Sequence, residues 1–380
     1  MTAPASGAAG GGPARRRIIY ATTREARYAR NATLVRALAC FGDVEVIAPG
    51  GSGQGFDRRL AYLWGLARVV LRLMVRALRR RREGDTLVLG FLAQPLALVA
   101  GPLWRGRIVG DALVSVYDTV CHDKRLARED SWLGRAAWWL DARLVRRADV
   151  LLFDTGEHRE YFRAFARGPL REALVVRVGA RPMKRLDEAR HASDRLQVLF
   201  AGSFIPLQGA RVIVEAARLL RDEPIDFTLV GAGQELAAAT GAARRHGLPS
   251  VRFIGWVDLD TLDTWYHRAD VILGIFGATA KTRRVIPNKV FEALAIGRPV
   301  ITGDTPAIRE LLVPDRDVIC CPVDDPGGLA TAIRWASGHR DRLREIGLAG
   351  QRAFERHASD GALVEALRPA FEASAHDRCA

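Results

Sequence analysis

Four cations and one carboxylate stand close together: Lys281, Arg283, Arg284 and Lys289 fall within nine positions, and Glu292 comes about one helical turn after the last of them. Cations beside a helix start suit an anion, because the free N–H groups and the macrodipole of that end already favour negative charge. Pro287 fits a first turn, Val290, Phe291 and Leu294 recur at helical spacing, and Gly297 is the expected stop before Pro299, Val300 and Ile301 continue as a strand. The spacing therefore predicts a short helix bearing Asn288, Lys289 and Glu292. A phosphate and a hydroxyl are the ligand groups that such a unit would hold.

The run Glu292-Ala-Leu-Ala-Ile-Gly-Arg-Pro-Val-Ile301 resembles the retaining GT-B glycosyltransferases of family 4, whose nucleotide-sugar site carries Glu-x7-Glu followed by Ala-x-Ala-x-Gly-x-Pro-Val-Ile. The resemblance implies that Glu292 binds the ribose hydroxyls of the donor. The family's first Glu, which contacts the donor sugar, falls where this chain has Arg284. With no nucleophile implied, Lys281 and Arg284 become the expected catalytic cations, with Asp118 and Asp111 opposite them in the other half of the chain.

Leu196 to Gly202 reads as a strand, Ser203 to Gly209 as a glycine-bounded loop, and Val212, Val214, Ala217 and Leu220 mark the helix after it. The resembled family shows Gly-Arg and Lys-Gly here, two cations for the donor diphosphate; this chain has Ser203 and Gln208. That leaves the charge to backbone N–H groups from Gly202 onward and to Lys281, Arg283, Arg284 and Lys289. The chain has four lysines, Lys124, Lys184, Lys281 and Lys289, and otherwise uses arginine, so two lysines in this one stretch are informative. Gly231 and Gly233 follow a strand but lack the third glycine of a dinucleotide site, and suit the family's Gly-x-Gly turn beside the donor. Thr302-Gly-Asp-Thr-Pro306 matches the family's diphosphate loop at Gly303 and Glu310, with Thr305 at the next helix start. Asp258-Leu-Asp260 spells a DxD metal motif, yet it sits between a strand and a helical run, so capping is its expected role. The expected chemistry needs no metal and no cofactor beyond the nucleotide-sugar itself.

In the first half, Ile18 to Ala21, Val44 to Ala48, Thr86 to Gly90 and Arg107 to Asp111 read as strands of one parallel sheet. The connection after the first strand holds Arg27, Tyr28, Arg30 and Asn31, at the sheet end where ligands bind in open α/β folds. It lacks Gly-x-Gly-x-x-Gly, which disfavours a nicotinamide site. Asp111, Ser115, Asp118, His122 and Asp123 follow the last of these strands, and the resemblance places acceptor-side polar residues in this region. Arg147-Ala-Asp-Val-Leu-Leu152 and Arg268-Ala-Asp-Val-Ile-Leu273 echo one another, which implies two units of one architecture.

Charge is unevenly placed: residues 1–192 hold 34 Lys/Arg against 19 Asp/Glu, and the remainder 23 against 24, within a total of +14. From Arg58 to Arg82 there are nine arginines and no acid, on a stretch with helical apolar spacing at Leu60, Leu63, Trp64, Ala67, Leu71, Met74 and Leu78. Arg68, Arg72, Arg76 and Arg79 form a basic stripe, and Leu66, Val69 and Leu73 widen the apolar arc, a pattern that suits the interface of an anionic bilayer. No motif interleaves bases with aromatics, so no nucleic-acid partner is expected. Residues 1–14 read as a flexible tail and not a secretion signal, no long uncharged apolar run reads as a membrane span, and five unpatterned cysteines suggest a reducing compartment.

The expected architecture is α/β, two doubly wound Rossmann-like domains facing a cleft: residues 15–190 for the acceptor, 191–360 for the nucleotide-sugar, and a helix in 361–380 returning to the first domain. The expected reaction is retaining transfer of a glycosyl group from a nucleotide-diphosphate-sugar to a lipid-linked or membrane-proximal glycan, in the cytoplasm at the inner face of the membrane. A nucleotide-sugar epimerase of the same fold and a catalytically silent partner subunit are the alternatives, the latter because Ser203, Gln208 and Arg284 replace familiar groups.

Overall fold

The fold was obtained as a computed structural model. It describes residues 16–49, 56–79, 85–123, 126–166, 168–183 and 193–372. The 1–14 tail, Lys124, Lys184, Arg80 to Arg82, most of the Lys184 to Arg195 linker and Cys379 lie outside them, as do the side chains of Arg58 and Arg79.

Apolar runs of three to six residues bounded by turns form two wholly parallel sheets of six strands each. The first holds β1 (Arg17–Ala21), β2 (Asp43–Ile47), β3 (Thr86–Leu89), β4 (Ile108–Asp111), β5 (Val150–Phe153) and β6 (Glu172–Val175), in the order β2-β1-β3-β4-β5-β6. The second holds β7 (Leu196–Ala201), β8 (Ile225–Val230), β9 (Val251–Ile254), β10 (Val271–Leu273), β11 (Val300–Gly303) and β12 (Ile319–Cys321), in the order β12-β11-β10-β7-β8-β9. Helices cover both faces, which is why inner strands such as β5 and β10 are apolar and buried at every position. Strand order reverses beside β1 in one sheet and beside β7 in the other, so each sheet opens a ligand crevice at the carboxyl end of its first strand.

The internal echo has a structural cause. Asp149 accepts from Ile108 N at 2.8 Å and Asp270 from Gln197 N at 2.9 Å, each carboxylate satisfying the strand next to the one it precedes. The helix Asp360–Glu372 crosses back, burying Leu363, Leu367, Ala370 and Phe371 with Ile18, Tyr20 and Leu34 of the first domain.

The arginine-rich helix, Phe56–Arg79, packs with a different face from the one its sequence suggests. Val69, Leu73 and Ala77 enter the core, whereas Trp64 and Leu71, expected on the core stripe, are 70% and 60% exposed. The i, i+4 series of smaller residues fits the sheet more closely than the tryptophan-led series. Arg76, expected on a free stripe, pairs with Glu45 of β2, while Arg68 and Arg72 stay exposed beside Trp64 and Leu71.

Candidate functional site

The predicted helix forms at Asn288–Ala295 with Pro287 as its extended N-cap, and Gly297 leaves it in the left-handed region at φ 67°. Its buried face carries Lys289 and Glu292 into the wall of a cleft of about 500 Å³ between the two sheets. Ala201 at the end of β7 lines the cleft with Gly202, Ser203 and Gln208 after it, Gly231 after β8, Lys281 from the turn before the helix, Asn288 from the helix's first position, and Tyr28, Leu113 and Asp154 from the first domain.

Glu292 is 9% exposed. Its Oε2 accepts from the Tyr266 hydroxyl at 2.9 Å and its Oε1 from Arg181 Nε at 3.1 Å. Two of about four lone-pair sites are thus used, leaving acceptor capacity toward the cleft. Burial pushes this carboxyl above its ordinary value, opposed by the Arg181 charge.

Lys289 donates to Gln208 Oε1 at 2.9 Å and sits 3.6 Å over the Phe200 ring. Among the described residues no carboxylate lies in ion-pair reach of it, and burial holds its ammonium well below the ordinary lysine value. Burying an amine without a charged partner disfavours its ammonium form, and an anion beside it would favour that form again. Backbone packs closely here: a Cβ on Gly231, at φ 135°, would fall 1.9 Å from Gly202 O, and one on Gly202 would fall 2.1 Å from Gln208 Oε1 and 2.8 Å from Lys289 Nζ.

The expected four-cation cluster does not gather. Ala280–Arg283 is a 3₁₀ turn, in which residues three apart eclipse, so Lys281 and Arg284 point together at the first domain while Arg283 faces solvent. Lys281 pairs with Asp123. Arg284 pairs with Asp118 at 2.8 Å and lies 3.9 Å over the Tyr161 ring. Asp118 also holds His122 Nδ1 at 3.0 Å, with Glu129 on the other ring nitrogen.

Several acceptor-side expectations are corrected by burial. Arg30 and Asp111 form an ion pair with both side chains 0% exposed, and Arg30 further donates to Val176 O and Arg177 O. Asn31 is spent on Tyr20, Thr22 and Glu25, and Ser115 on Asp141. Arg27 is exposed outside the cleft. The first-domain carboxylate that does line the cleft is Asp154, with His158 Nδ1 2.9 Å behind it.

On the donor side, Gly233 packs on Phe204, Gly303 on Val323 and Ile275, and Thr305 caps a short helix by accepting from Ile308 N. Glu310 accepts from Gly156 N and Glu157 N and pairs with Arg177, so it serves the domain interface and not a diphosphate loop. Asp258 caps the helix Leu259–Arg268 by accepting from Thr261 N at 2.8 Å. Arg181, Tyr266, Asp263 and Asp154 escaped sequence reasoning. Only the i, i+3 spacing of Asp263 and Tyr266 hinted that they share a helix face.

Two facing doubly wound domains with a cleft at both switch points define the GT-B class. Residues 195–338, within the second domain, match the family model described as glycosyl transferases group 1. Sucrose-phosphate synthase from Thermosynechococcus elongatus superposes with a TM-score of 0.74 at 15% identity, covering 94% of this chain and 99% of that one. HepE of Anabaena, solved with UDP and glucose, superposes with a TM-score of 0.68 at 14% identity over 95% of this chain and 100% of its own. The amylovoran biosynthesis glycosyltransferase AmsK of Erwinia amylovora is 25% identical over 210 residues, 52% of this chain and 51% of its own. The chain spans about half or less of the length of the curated relatives it matches.

Proposed function

We propose that this protein is a retaining glycosyltransferase that moves a sugar from a nucleotide-diphosphate-sugar to a lipid-linked glycan at an anionic membrane surface. The observation that carries the reading is the pairing of Glu292 and Lys289 on one helical turn at the cleft wall, one able to accept ribose hydroxyls and the other free for a phosphate. The group 1 match over the second domain and the polysaccharide-biosynthesis name of AmsK support the reaction class, and the UDP held by HepE makes a UDP-sugar the first donor to try.

In this reading Glu292 anchors the nucleoside, and Lys289 with the backbone around Gly202 receives the diphosphate. The bond from the sugar's anomeric carbon to the β-phosphate breaks as the acceptor oxygen joins that carbon on the same face, and the acceptor proton passes to the departing phosphate. No side-chain nucleophile is needed. The protein stabilises the charge that grows on the leaving group, a role in which one well-placed donor is worth about 10²-fold or more in rate. In the same reading Asp154, which lines the opposite wall, would orient the acceptor hydroxyl.

The membrane part of the proposal rests on Trp64 and Leu71 beside Arg68 and Arg72, and on Trp132 and Trp139, 77% and 46% exposed on the helix Trp132–Arg147. Among the described residues no helix is long and apolar enough to cross a membrane, so surface attachment is the mode proposed. Incubation with UDP-, GDP- and ADP-sugars and bacterial lipid extract tests the reaction. Acceptor-dependent release of the nucleoside diphosphate with retained anomeric configuration is expected. Isomerised free donor would indicate an epimerase, and no turnover of any donor would favour the silent subunit that the Arg284–Asp118 lock allows.

A further inference from the structure

The chain leaves the first domain after β6 and passes Arg181 before entering the second. That arginine is 11% exposed and sits between two acids of the second domain, its Nε 3.1 Å from Glu292 Oε1 and its Nη2 on Asp263. Tyr266, one turn along from Asp263, donates to the remaining Glu292 oxygen. A buried network of four groups thus ties the interdomain segment to the carboxylate in the cleft wall. Neither the match to the second domain, which begins at residue 195, nor the sequence pattern includes Arg181.

We propose that Arg181 is the positioning residue for nucleotide recognition: it fixes the rotation of the Glu292 carboxylate and keeps it ionised, so that its free lone pairs meet the ribose hydroxyls. The inference rests on the ribose role of Glu292 proposed above. Its physical basis is direct. A carboxylate this buried is costly to keep charged without a paired cation, and hydrogen bonds to an ionised acceptor are roughly twice as strong as neutral ones. Lys289 is one turn away but is directed at Gln208. Asp263 opposes ionisation and Tyr266 donates, while the helix Arg340–His357 packed behind brings Gly350, Ala353 and Gln351, whose amide donates to Ala295 O at 3.2 Å, and its described contacts here place no charge on Glu292. Arg181 is therefore the cation that sets the state of Glu292. Because it rides on the segment between domains, a shift of one domain against the other would move the ribose anchor with it.

The test compares affinities for the best bound of UDP, GDP and ADP with those for its 2′-deoxy form, by calorimetry across pH 6–9, in wild type, Arg181→Gln, Arg181→Lys and Glu292→Ala. Wild type is expected to reject the deoxy form by about 10- to 100-fold, the worth of a hydrogen bond to a charged group. In Arg181→Gln the discrimination should fall to within about threefold at neutral pH and return as pH rises and Glu292 ionises, while the affinity for inorganic pyrophosphate stays at the wild-type value. Arg181→Lys, which keeps the charge and loses the fork, should fall between and serves where Arg181→Gln does not fold. Discrimination unchanged in both variants, with no pH dependence, overturns the role of Arg181. Discrimination retained in Glu292→Ala, or no nucleotide bound by wild type, overturns the ribose reading and this inference together.

Discussion

Arg284 Nη2 lies 2.8 Å from Asp118 Oδ2, so the residue standing where the resembled family has a sugar-contacting Glu is committed to an ion pair between the domains. Asp118 is 1% exposed. Removing its partner leaves, among the described residues, a buried carboxylate whose remaining side-chain partner is His122.

Arg284→Gln is therefore expected to lower stability by about 3 kcal/mol and to leave nucleotide affinity within about twofold. The double variant with Asp118→Asn should cost less than the sum of the single changes, by about 1–3 kcal/mol. Thermal and denaturant unfolding measure the coupling. A tenfold loss of nucleotide affinity in Arg284→Gln would instead put Arg284 on the diphosphate.

Asp111 belongs to the scaffold. Asp111→Ala strands the Arg30 guanidinium in the first-domain core and should destabilise by about 3–5 kcal/mol. Where the variant still folds, nucleotide affinity should match wild type, and a selective loss of turnover at unchanged stability would return Asp111 to the active site.

Lys289 gives the nucleotide site a pH dependence. Burial depresses its folded-state value, so the ammonium needed by a diphosphate is lost as pH rises through that depressed value, below the ordinary 10.5. Affinity for the nucleoside diphosphate should fall as pH rises through that depressed value, and binding above it should take up a proton, seen as heats that differ between buffers. Lys289→Met should show neither effect; a wild-type pH profile in that variant would remove Lys289 from the phosphate.

Gly202→Ala tests the close approach. The added methyl would meet the flexible ends of Gln208 and Lys289, so the fold should survive while both groups are displaced. A loss of about tenfold in nucleotide affinity, with the melting temperature within about 2 °C of wild type, is the expected result. Wild-type affinity would place the diphosphate elsewhere.

Much of this was legible in the sequence, for identifiable reasons. The β-strands announced themselves as short apolar runs, and Pro287, Gly297 and Asp258 act locally as their types require. Glu292 and Lys289 reached the cleft because helix period fixes which residues share a face. What failed was long-range. That Asp111 would be consumed by Arg30, Glu310 by Arg177, and Lys281 by Asp123 depends on partners up to 158 positions away. The arginine-rich helix was rotated for a related reason: its sequence offers two apolar faces, and only the sheet selects Val69 and Leu73 over Trp64 and Leu71. Arg181 carried no local signal at all.

Membrane attachment has its own test. Co-sedimentation with vesicles rich in anionic lipid should weaken as salt rises, because the attraction acts over about 8–10 Å at ordinary ionic strength. Trp64→Ser with Leu71→Ser should weaken it further without changing nucleotide affinity. Binding indifferent to lipid charge would remove the surface from the account.

The most direct measurement is calorimetric binding of UDP, GDP and ADP to wild type and Glu292→Ala. The account predicts that at least one nucleotide binds wild type and that the variant loses about 10- to 100-fold in affinity for it. Equal affinity in the two proteins, or no nucleotide bound by wild type, would contradict it.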